Sequence, residues 1–409
     1  MAWFWSVILL VVAGCGPQET ATPPPTPQQI HEDVLTVDTH VDTTFEVMDP
    51  HFDLGERHHV EEDGSNVDFI RMKEGGLDAI FFAVFVGQGP RTPEGHATAR
   101  ERAMAQFEGI RRAVDENREL VGLALTPDDA YRLEKEGKRA LYIGMENGYP
   151  IGTDLSLVQM YYDLGARYIT LCHGANNEIC DSSTDDNGAE HGGLGDFGRD
   201  VVREMNRLGM MVDVSHISDD AFYDVVEVSK APVIATHSCT RALCDHPRNM
   251  TDDMIRRLAG QGGVIQITLV KDFVRTPPPN PEREAELAAL REKYGDYGQM
   301  SAEEQEKARE EWRAIRRRYP PAPSSVAQVV DHIDHVVQLV GIDHVGIGTD
   351  FDGGGWVDDC RDVSQLPNIT AELVKRGYTA DQIRQIWGGN AMRVFRAAEA
   401  TARGMKNGT

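Results

Sequence analysis

The stretch Leu-Thr-Val-Asp-Thr-His-Val-Asp, residues 35–42, ends an apolar run with a histidine and an aspartate two positions apart. Side chains repeat every two residues along a strand, so His40 and Asp42 leave the same face and point to one place. An imidazole and a carboxylate arranged in this way are half of a hydrolytic metal site. The remaining half must come from other strands, and therefore from the fold.

From residue 33 onward, short apolar runs alternate with longer amphipathic ones. The predicted strands are 34–39, 77–86, 139–145, 167–172, 210–215, 232–236, 262–268 and 344–349. The predicted helices are 96–116, 154–164, 197–208, 218–229, 251–260, 323–340, 364–376, 379–387 and 390–402. This alternation predicts parallel strands joined by helical crossovers, an α/β fold. Eight strands favour a (β/α)8 TIM-type barrel, and a doubly wound open sheet is the alternative that strand counting leaves open.

Residues 271–322 interrupt this rhythm. A proline run at 277–279 begins a segment dense in Glu, Lys and Arg, which Pro320 and Pro321 close. This pattern predicts a helical excursion beside the loop of the seventh predicted strand. A solvated helical hairpin is the favoured interpretation, and a lid over the site is the alternative.

Five further polar residues stand directly after predicted strands. They are Glu146, His173, His216, His237 and Asp350. The carboxyl ends of barrel strands share one mouth, where active sites of this fold are built. Each residue alone is more often a satisfied strand-end histidine or a helix N-cap. Six such coincidences at one end of successive strands favour a metal site.

The residue types suit zinc. Neutral imidazoles and carboxylates bind Zn²⁺, and catalytic sites keep one position for water. His40, Asp42, His216 and His237, with one bridging carboxylate, would hold two ions and a shared hydroxide, a nucleophile at neutral pH. Manganese, cobalt or iron in the same ligands remains an alternative.

With these motifs the chain resembles the membrane (renal-type) dipeptidase family of the amidohydrolase superfamily. The resemblance runs from about residue 33 to about 398. It rests on His40-Val-Asp42, Gly-Met-Glu146-Asn-Gly, Leu-Cys-His173, Asp-Val-Ser-His216, Ala-Thr-His237-Ser, His246-Pro-Arg248-Asn, Gly-Thr-Asp350-Phe-Asp-Gly and Trp387-Gly-Gly-Asn390.

The resemblance implies a zinc-dependent dipeptidase that hydrolyses the peptide bond through a hydroxide bridging two zinc ions. One zinc would be held by His40 and Asp42 and the other by His216 and His237, with Glu146 bridging both. His173 would bind the carbonyl oxygen as it becomes an oxyanion. Arg248 would hold the carboxylate of the substrate. Asp350, preferred to Asp352 because it lies nearer the strand end, would orient the water or the free amine and pass a proton to the leaving nitrogen. A homodimer is expected from the resemblance alone.

Two other functions stay open at this point. One is an amidohydrolase for N-acyl amino acids, β-lactams or other cyclic amides. The other is a non-catalytic exported zinc-binding lipoprotein. Three further polar clusters are expected to be structural: His58 and His59 with Glu61 and Glu62 in a solvated loop, His332 and His335 as surface or packing residues, and Asp181–Asp186 at the pocket rim.

The amino-terminal segment, residues 1–15, resembles a bacterial lipoprotein signal. Residues 1–12 are apolar but too short to span a bilayer comfortably, and Val-Ala-Gly-Cys15 follows. We expect lipidation of Cys15, although Lys and Arg are missing before it; an uncleaved anchor or a plain secretion signal is the alternative. The Pro- and Thr-rich residues 16–30 then form a tether, 31–402 the barrel domain and 403–409 a polar tail. This predicts a lipid-anchored protein of the bacterial cell envelope, facing the periplasm or the exterior.

The composition limits the partners. A formal charge of −25 argues against nucleic acid and against an anionic membrane surface. Contact with a membrane is therefore expected through the lipid only, and a small dipeptide is the expected substrate. Five cysteines follow Cys15, an odd number that leaves at least one without an intrachain partner.

Overall fold

The computed structural model describes Met1 and residues 24–407, apart from 50, 63, 277, 295–301 and 320–322. Cys15, with all of the predicted signal segment after Met1, lies outside the described residues. So do residues 16–23 of the predicted tether.

The strands form one parallel sheet that nearly closes into a barrel. They are β1 (Val37–Val41), β2 (Ala79–Phe85), β3 (Val121–Leu123), β4 (Arg139–Glu146), β5 (Ala166–Thr170), β6 (Met211–Asp213), β7 (Ile234–Ser238), β8 (Val264–Ile267) and β9 (Val345–Ile347). The order around the barrel is β1-β2-β4-β5-β6-β7-β8-β9. A bridge between Val41 and Phe351 brings the last strand against the first, and the Asp350 backbone N–H donates to the His40 carbonyl over 2.9 Å. The predicted eight-stranded barrel is confirmed, and the open sheet is wrong.

One strand was not predicted. β3 has three residues and pairs only with β4, beside the ring of eight. It adds a short edge to the barrel and supplies none of the polar strand-end residues.

The helices cover the outside of the barrel. They are α1 (Pro27–Asp33), α2 (Phe69–Glu74), α3 (Pro93–Glu116), α4 (Pro127–Lys135), α5 (Ser156–Asp163), α6 (Asp196–Leu208), α7 (Asp219–Val228), α8 (Asp252–Gly260), α9 (Lys271–Val274), α10 (Pro281–Tyr294), α11 (Ala302–Arg318), α12 (Val326–Val340), α13 (Pro367–Lys375), α14 (Ala380–Arg384) and α15 (Asn390–Asn407). The predicted helices are present with small shifts at their ends. Three short helices, α1, α2 and α4, were not predicted.

Two of the unpredicted helices begin with the same local signal as the long α3. Thr26, Thr92 and Thr126 are the N-caps of α1, α3 and α4, and each is followed by proline at the first helical position. Threonine at the N-cap satisfies free backbone N–H groups, and proline there loses no hydrogen bond.

Both predicted boundaries of the barrel domain need correction. The folded unit begins within the predicted tether, because α1 starts at Pro27 and buries Ile30 and His31. The predicted polar tail 403–409 is helical as far as Asn407, because α15 continues to that residue.

The strands are buried on both faces, as parallel barrel strands must be. One apolar layer lies between the strands and the helices. A second fills the lower lumen, where Phe81 stacks on Tyr142 at 4.6 Å between ring centroids and Phe395 of α15 lies 5.9 Å from Tyr142. The lumen is therefore packed below, and polar chemistry is confined to the mouth.

The excursion follows β8, as predicted. α10 buries none of its residues. It pairs with α11 through charged contacts, with Lys293 Nζ 2.5 Å from Glu311 Oε1 and an Arg318 nitrogen 2.6 Å from Glu286 Oε1. This agrees with the solvated helical hairpin. Over the part of the chain that the structure describes, no helix combines the length and apolar character needed to cross a membrane.

Candidate metal centre and active site

Seven polar side chains from the sequence prediction meet at the mouth of the barrel. Their potential ligand atoms fall into three overlapping groups, each within 4.8 Å. These groups are His40–Glu146–His237, Glu146–His173–His216 and His40–Asp42–Asp350. Glu146 belongs to two groups and lies at the centre.

His40 and Asp42 form one side of the site. His40 Nε2 lies 3.8 Å from Asp42 Oδ2 and 3.7 Å from Glu146 Oε2. β1 ends at Val41, so Asp42 stands just beyond the strand, at the start of the short 3-10 helix Thr43–Met48. Among the described residues, His40 Nε2 and Asp42 Oδ1 are buried polar atoms without a hydrogen-bond partner. Such atoms are costly unless a ligand satisfies them.

His216 and His237 form the other side. Their Nε2 atoms lie 2.9 Å apart and reach Glu146 Oε1 at 3.0 and 3.3 Å. Burial is the largest cause that holds the pKa of each imidazole well below its ordinary value, and Arg248 and the neighbouring histidines add to it. Both rings are therefore neutral, the form that binds a metal ion.

The other predicted residues surround this centre. His173 is 35 % exposed and its Nε2 lies 4.0 Å from Glu146 Oε1. Arg248 is buried, donates from one terminal nitrogen to the His237 carbonyl over 3.1 Å, and keeps an unpartnered Nε among the described residues. Asp350 has a potential ligand atom within 4.8 Å of those of His40 and Asp42. The structure thus brings together all of the predicted metal-site and substrate residues.

The buried charges at this site favour the binding of a cation. Asp42, Glu146 and Asp350 are buried around one buried cationic side chain, Arg248. Burial is the largest cause that raises the pKa of Glu146 and of Asp350, and the neighbouring Asp42 raises both further. Burial alone would lower the pKa of His40. The negative charges of Glu146, Asp42 and Asp350 outweigh this effect and raise the pKa of His40 to about 10. A buried excess of carboxylates that draws a proton onto an imidazole is typical of a divalent metal site.

The backbone is strained at this site. Among the described residues other than glycine, positive φ angles occur at Asn147, His216, Asp350 and Asp352, between 65° and 72°. Two of these residues belong to the site, and Asn147 directly follows Glu146. Left-handed backbone costs free energy in ordinary residues and persists where the surroundings fix it. His216 and Asp350 adopt this conformation shortly after β6 and β9 end, and both side chains belong to the groups of potential metal ligands.

The supporting residues were not predicted. The Tyr168 hydroxyl lies 2.8 Å from His40 Nδ1, and the Thr236 hydroxyl lies 2.9 Å from His237 Nδ1. Asp213 accepts hydrogen bonds from the Thr236 and Thr170 hydroxyls at 2.7 and 2.5 Å. Histidine ligands commonly use the second ring nitrogen in this way, which fixes the ring and its tautomer. The sequence offered one signal for these supporting residues, which is the carboxylate of Asp213 within an otherwise apolar strand.

Asp352 has a structural role. One of its oxygens accepts from the Thr43 hydroxyl and the other from the Asn66 backbone N–H, both at 2.5 Å. Its carboxylate therefore fixes two loops, whereas Asp350 faces the metal groups.

The three clusters expected to be structural lie outside the three groups of potential metal ligands. His58 stacks on Phe52 at 3.8 Å, and His332 bonds to Thr240 and to the Val274 carbonyl. Asp181 accepts backbone N–H groups from residues 190, 191 and 193, which ties down the loop after His173. The five described cysteines are free and buried.

Comparison with known proteins identifies a family over most of the chain. The family described as "Membrane dipeptidase (Peptidase family M19)" matches residues 26–409. Dipeptidase tcpJ of Claviceps purpurea is 33 % identical over 346 residues, which cover 83 % of this chain and 71 % of the relative. Dipeptidase verJ of Clonostachys rogersoniana is 33 % identical over 356 residues, 84 % of this chain and 78 % of the relative.

Solved structures share the fold. The probable dipeptidase PvdM from Pseudomonas aeruginosa has a TM-score of 0.77 at 30 % identity and covers 92 % of this chain and 98 % of its own. A metallo peptidase from Rhodobacter sphaeroides has a TM-score of 0.71 at 22 % identity and covers 89 % and 99 %. The likeness to the latter supports the barrel fold alone. With a family match over most of its length and carboxylates and imidazoles that suit a divalent metal at the barrel mouth, the chain belongs to the membrane dipeptidase family, peptidase family M19.

Proposed function

We propose that this dipeptidase works with two Zn²⁺ ions held by the five central side chains. His40 and Asp42 would hold one ion, His216 and His237 the other, and Glu146 would bridge them. The observation that carries this proposal is the central position of Glu146, which reaches His40 with one oxygen and His216 and His237 with the other. The unpartnered His40 Nε2 and Asp42 Oδ1 fit the same ligand set. Bound zinc ions lower the pKa of a coordinated water to about 7 and so supply a nucleophile at neutral pH.

His173 would bind the carbonyl oxygen of the scissile bond. Although the His173 side chain is 35 % exposed at the mouth, the protein atoms around it displace water, and this desolvation and the positive charge of Arg248 lower its pKa to about 4. The ring is therefore neutral at pH 7 and donates one N–H. A fixed donor is most valuable where negative charge develops, at the carbonyl oxygen of an acyl transfer. Asp350 would orient the nucleophilic water or the free amine of the substrate and carry a proton to the leaving nitrogen.

Arg248 would bind the carboxylate at the end of the dipeptide. Its guanidinium is buried, and one terminal nitrogen donates a hydrogen bond to the His237 carbonyl. The guanidinium carbon lies 5.4 Å from the centroid of the Phe273 ring. Guanidinium groups bind carboxylates with paired hydrogen bonds, which makes the free carboxylate a requirement for binding.

The experiment compares a dipeptide with its carboxyl-terminal amide. We expect Ala-Ala to be hydrolysed and its amide to react poorly. Arg248→Ala should raise the KM for Ala-Ala by about 100-fold, since it removes a charge-assisted pair. It should leave the slow reaction of the amide nearly unchanged.

Arg241→Ala is the matched control, because Arg241 lies in the same loop but pairs with Asp219. An unchanged KM for Ala-Ala in Arg248→Ala would contradict the dipeptide assignment. An N-acetyl amino acid and a β-lactam in the same panel test the other amides, and L-Ala-D-Ala tests the stereochemistry. A mimic of L-Ala-D-Ala is the ligand in the Rhodobacter sphaeroides structure.

We further propose that Cys15 is lipidated and that the enzyme is anchored in the bacterial cell envelope, facing the periplasm or the exterior. The support is the sequence of residues 1–15 and the Pro- and Thr-rich sequence that follows it, ahead of a first helix that starts at Pro27. The family resemblance also implies a homodimer, which the molecular mass in solution tests.

A further inference from the structure

An apolar wall stands beside the candidate oxyanion-binding residue. Phe85, the last residue of β2, meets His173 edge to face with ring centroids 4.6 Å apart. Phe45 meets Phe85 in the same manner at 5.9 Å. We call Phe85 and Phe45 the aromatic wall. It connects the reacting centre with the solvent, because Phe45 is 47 % exposed.

The aromatic wall faces the mouth. Phe85 pairs with Glu146 in the parallel register of β2 and β4. Neighbouring residues in register present their side chains on the same face of a sheet. Since Glu146 points into the metal centre, Phe85 points there as well, and its contact with His173 agrees with this direction.

The strand order places this wall opposite Arg248. Arg248 is tied to the carbonyl of His237 on β7. In the ring of eight, β7 is four steps from β2 in either direction, through β4, β5 and β6 or through β1, β9 and β8. A dipeptide with its carboxylate at Arg248 and its carbonyl at His173 therefore extends its amino-terminal residue toward β2.

The wall is held in place by its surroundings. Phe45 lies in the 3-10 helix Thr43–Met48, and its backbone N–H donates to the Asp42 carbonyl over 3.0 Å. Thr43 is bonded to Asp352, and Val47 is buried in the core. Because the segment is fixed at both ends, the half-exposed Phe45 ring is presented to the mouth at little further entropic cost.

We propose that the aromatic wall contacts the side chain of the amino-terminal residue of the substrate, so that the enzyme favours dipeptides whose first residue is apolar or aromatic. This inference rests on the proposed function, because it uses Arg248 as the carboxylate anchor. A large apolar first residue covers the wall and removes its surface from water, which lowers the free energy of the bound state.

The test is a substrate series on the zinc-loaded enzyme: Ala-Ala, Phe-Ala and Ala-Phe. We expect kcat/KM for Phe-Ala to exceed that for Ala-Ala. Phe45→Ala should lower kcat/KM for Phe-Ala by about tenfold, while Ala-Ala and Ala-Phe change less than about twofold. Phe85→Leu should lower the value for Phe-Ala in the same direction, and it provides a second variant of the wall.

Trp312→Ala is the matched control, since Trp312 is an aromatic residue of similar exposure, 43 %, on the excursion. An equal loss on all three substrates in Phe45→Ala, or a loss confined to Ala-Phe, would overturn the inference. Failure of the wild-type enzyme to hydrolyse any of the three would contradict the proposed function itself. If Ala-Ala is hydrolysed normally but kcat/KM shows no preference for an apolar first residue, only the proposed role of the aromatic wall is overturned.

Discussion

At the scale of single residues, the orientation of His40 depends on a tyrosine from the opposite part of the barrel. The Tyr168 hydroxyl lies 2.8 Å from His40 Nδ1. Its ring crosses β4 at Gly144, where a Cβ atom would lie 1.9 Å from Tyr168 Cζ. If Nε2 binds a metal, as proposed, Nδ1 would carry the proton and its N–H would donate a hydrogen bond to the hydroxyl oxygen. Tyr168 would therefore be a positioning residue for one of the proposed metal ligands.

We predict that Tyr168→Phe weakens metal binding by about 10- to 100-fold, because it removes the acceptor that fixes the tautomer of His40. The measurement is competition for zinc with a chelator of known affinity. Tyr142→Phe is the control, since Tyr142 is another buried tyrosine of the lumen. Its hydroxyl donates to the Thr126 carbonyl, away from the candidate metal-binding side chains. Equal zinc affinities of the two variants would show that the Tyr168 hydroxyl does not position His40.

The sequence predicts the central residues because polar side chains at the ends of apolar strands stand out. Glu146, His216 and His237 are recognisable in this way. Tyr168 is not, since an aromatic residue within a strand is indistinguishable from a core residue. Its partner His40 lies 128 residues away in the chain, and only the closed barrel brings them into contact.

At the scale of elements, α1 is attached to the barrel by a buried histidine. His31 Nδ1 lies 2.7 Å from the Thr370 hydroxyl, and Nε2 lies 2.8 Å from the Gly75 carbonyl. Trp387 donates to the same Thr370 hydroxyl over 2.8 Å and packs edge to face on the His31 ring. Burial is the main cause that lowers the pKa of His31 below its ordinary value, although the Gly75 carbonyl acts in the opposite direction. The ring is therefore neutral in the folded protein.

This pKa shift predicts a loss of stability in acid. Unfolding returns His31 to an ordinary pKa near 6.5, so below that pH the unfolded chain binds more protons than the folded one. The stabilising contribution is present above pH 6.5 and falls as the pH drops toward the folded pKa. We expect the decrease in Tm between pH 7.5 and pH 5.5 to be about 1–2 °C smaller in His31→Gln than in the wild type. Thermal unfolding at both pH values measures it, and identical decreases would contradict the assignment.

The long, strongly patterned elements were predicted, and the elements that were missed are all short. The strands that carry site residues are bounded by clear helices, which made them recognisable. β3, Val121–Leu123, is too short to show a period, and α2, Phe69–Glu74, has fewer than two turns. α1 was not predicted because the Pro- and Thr-rich sequence around its start suggested a tether, although Thr26-Pro27 is a regular helix start.

At the scale of the whole molecule, the barrel separates stability from chemistry. The lower lumen is packed with aromatic and aliphatic residues, and the strand ends above it carry the metal groups. The chain is also strongly acidic, with a formal charge of −25. Such a charge repels anionic lipid headgroups, so electrostatic attraction to the membrane surface would not hold the chain at a membrane.

We predict that the wild-type chain, expressed in a bacterium, fractionates with membranes and incorporates a labelled fatty acid. Cys15→Ser should release it into the soluble fraction without a change in kcat, because the folded unit starts at Pro27. Cys172→Ser serves as the control for labelling, since Cys172 is buried in the barrel. Labelling that persists in Cys15→Ser would show that the lipid is not on this residue.

In the proposed function, the barrel mouth uses two zinc ions to cleave dipeptides. The most direct measurement is the rate of Ala-Ala hydrolysis while zinc is returned stepwise to chelator-treated enzyme. We expect negligible activity without metal and a rise to a plateau at two zinc ions per chain. Full activity after chelation, or a plateau at one zinc per chain, would contradict it.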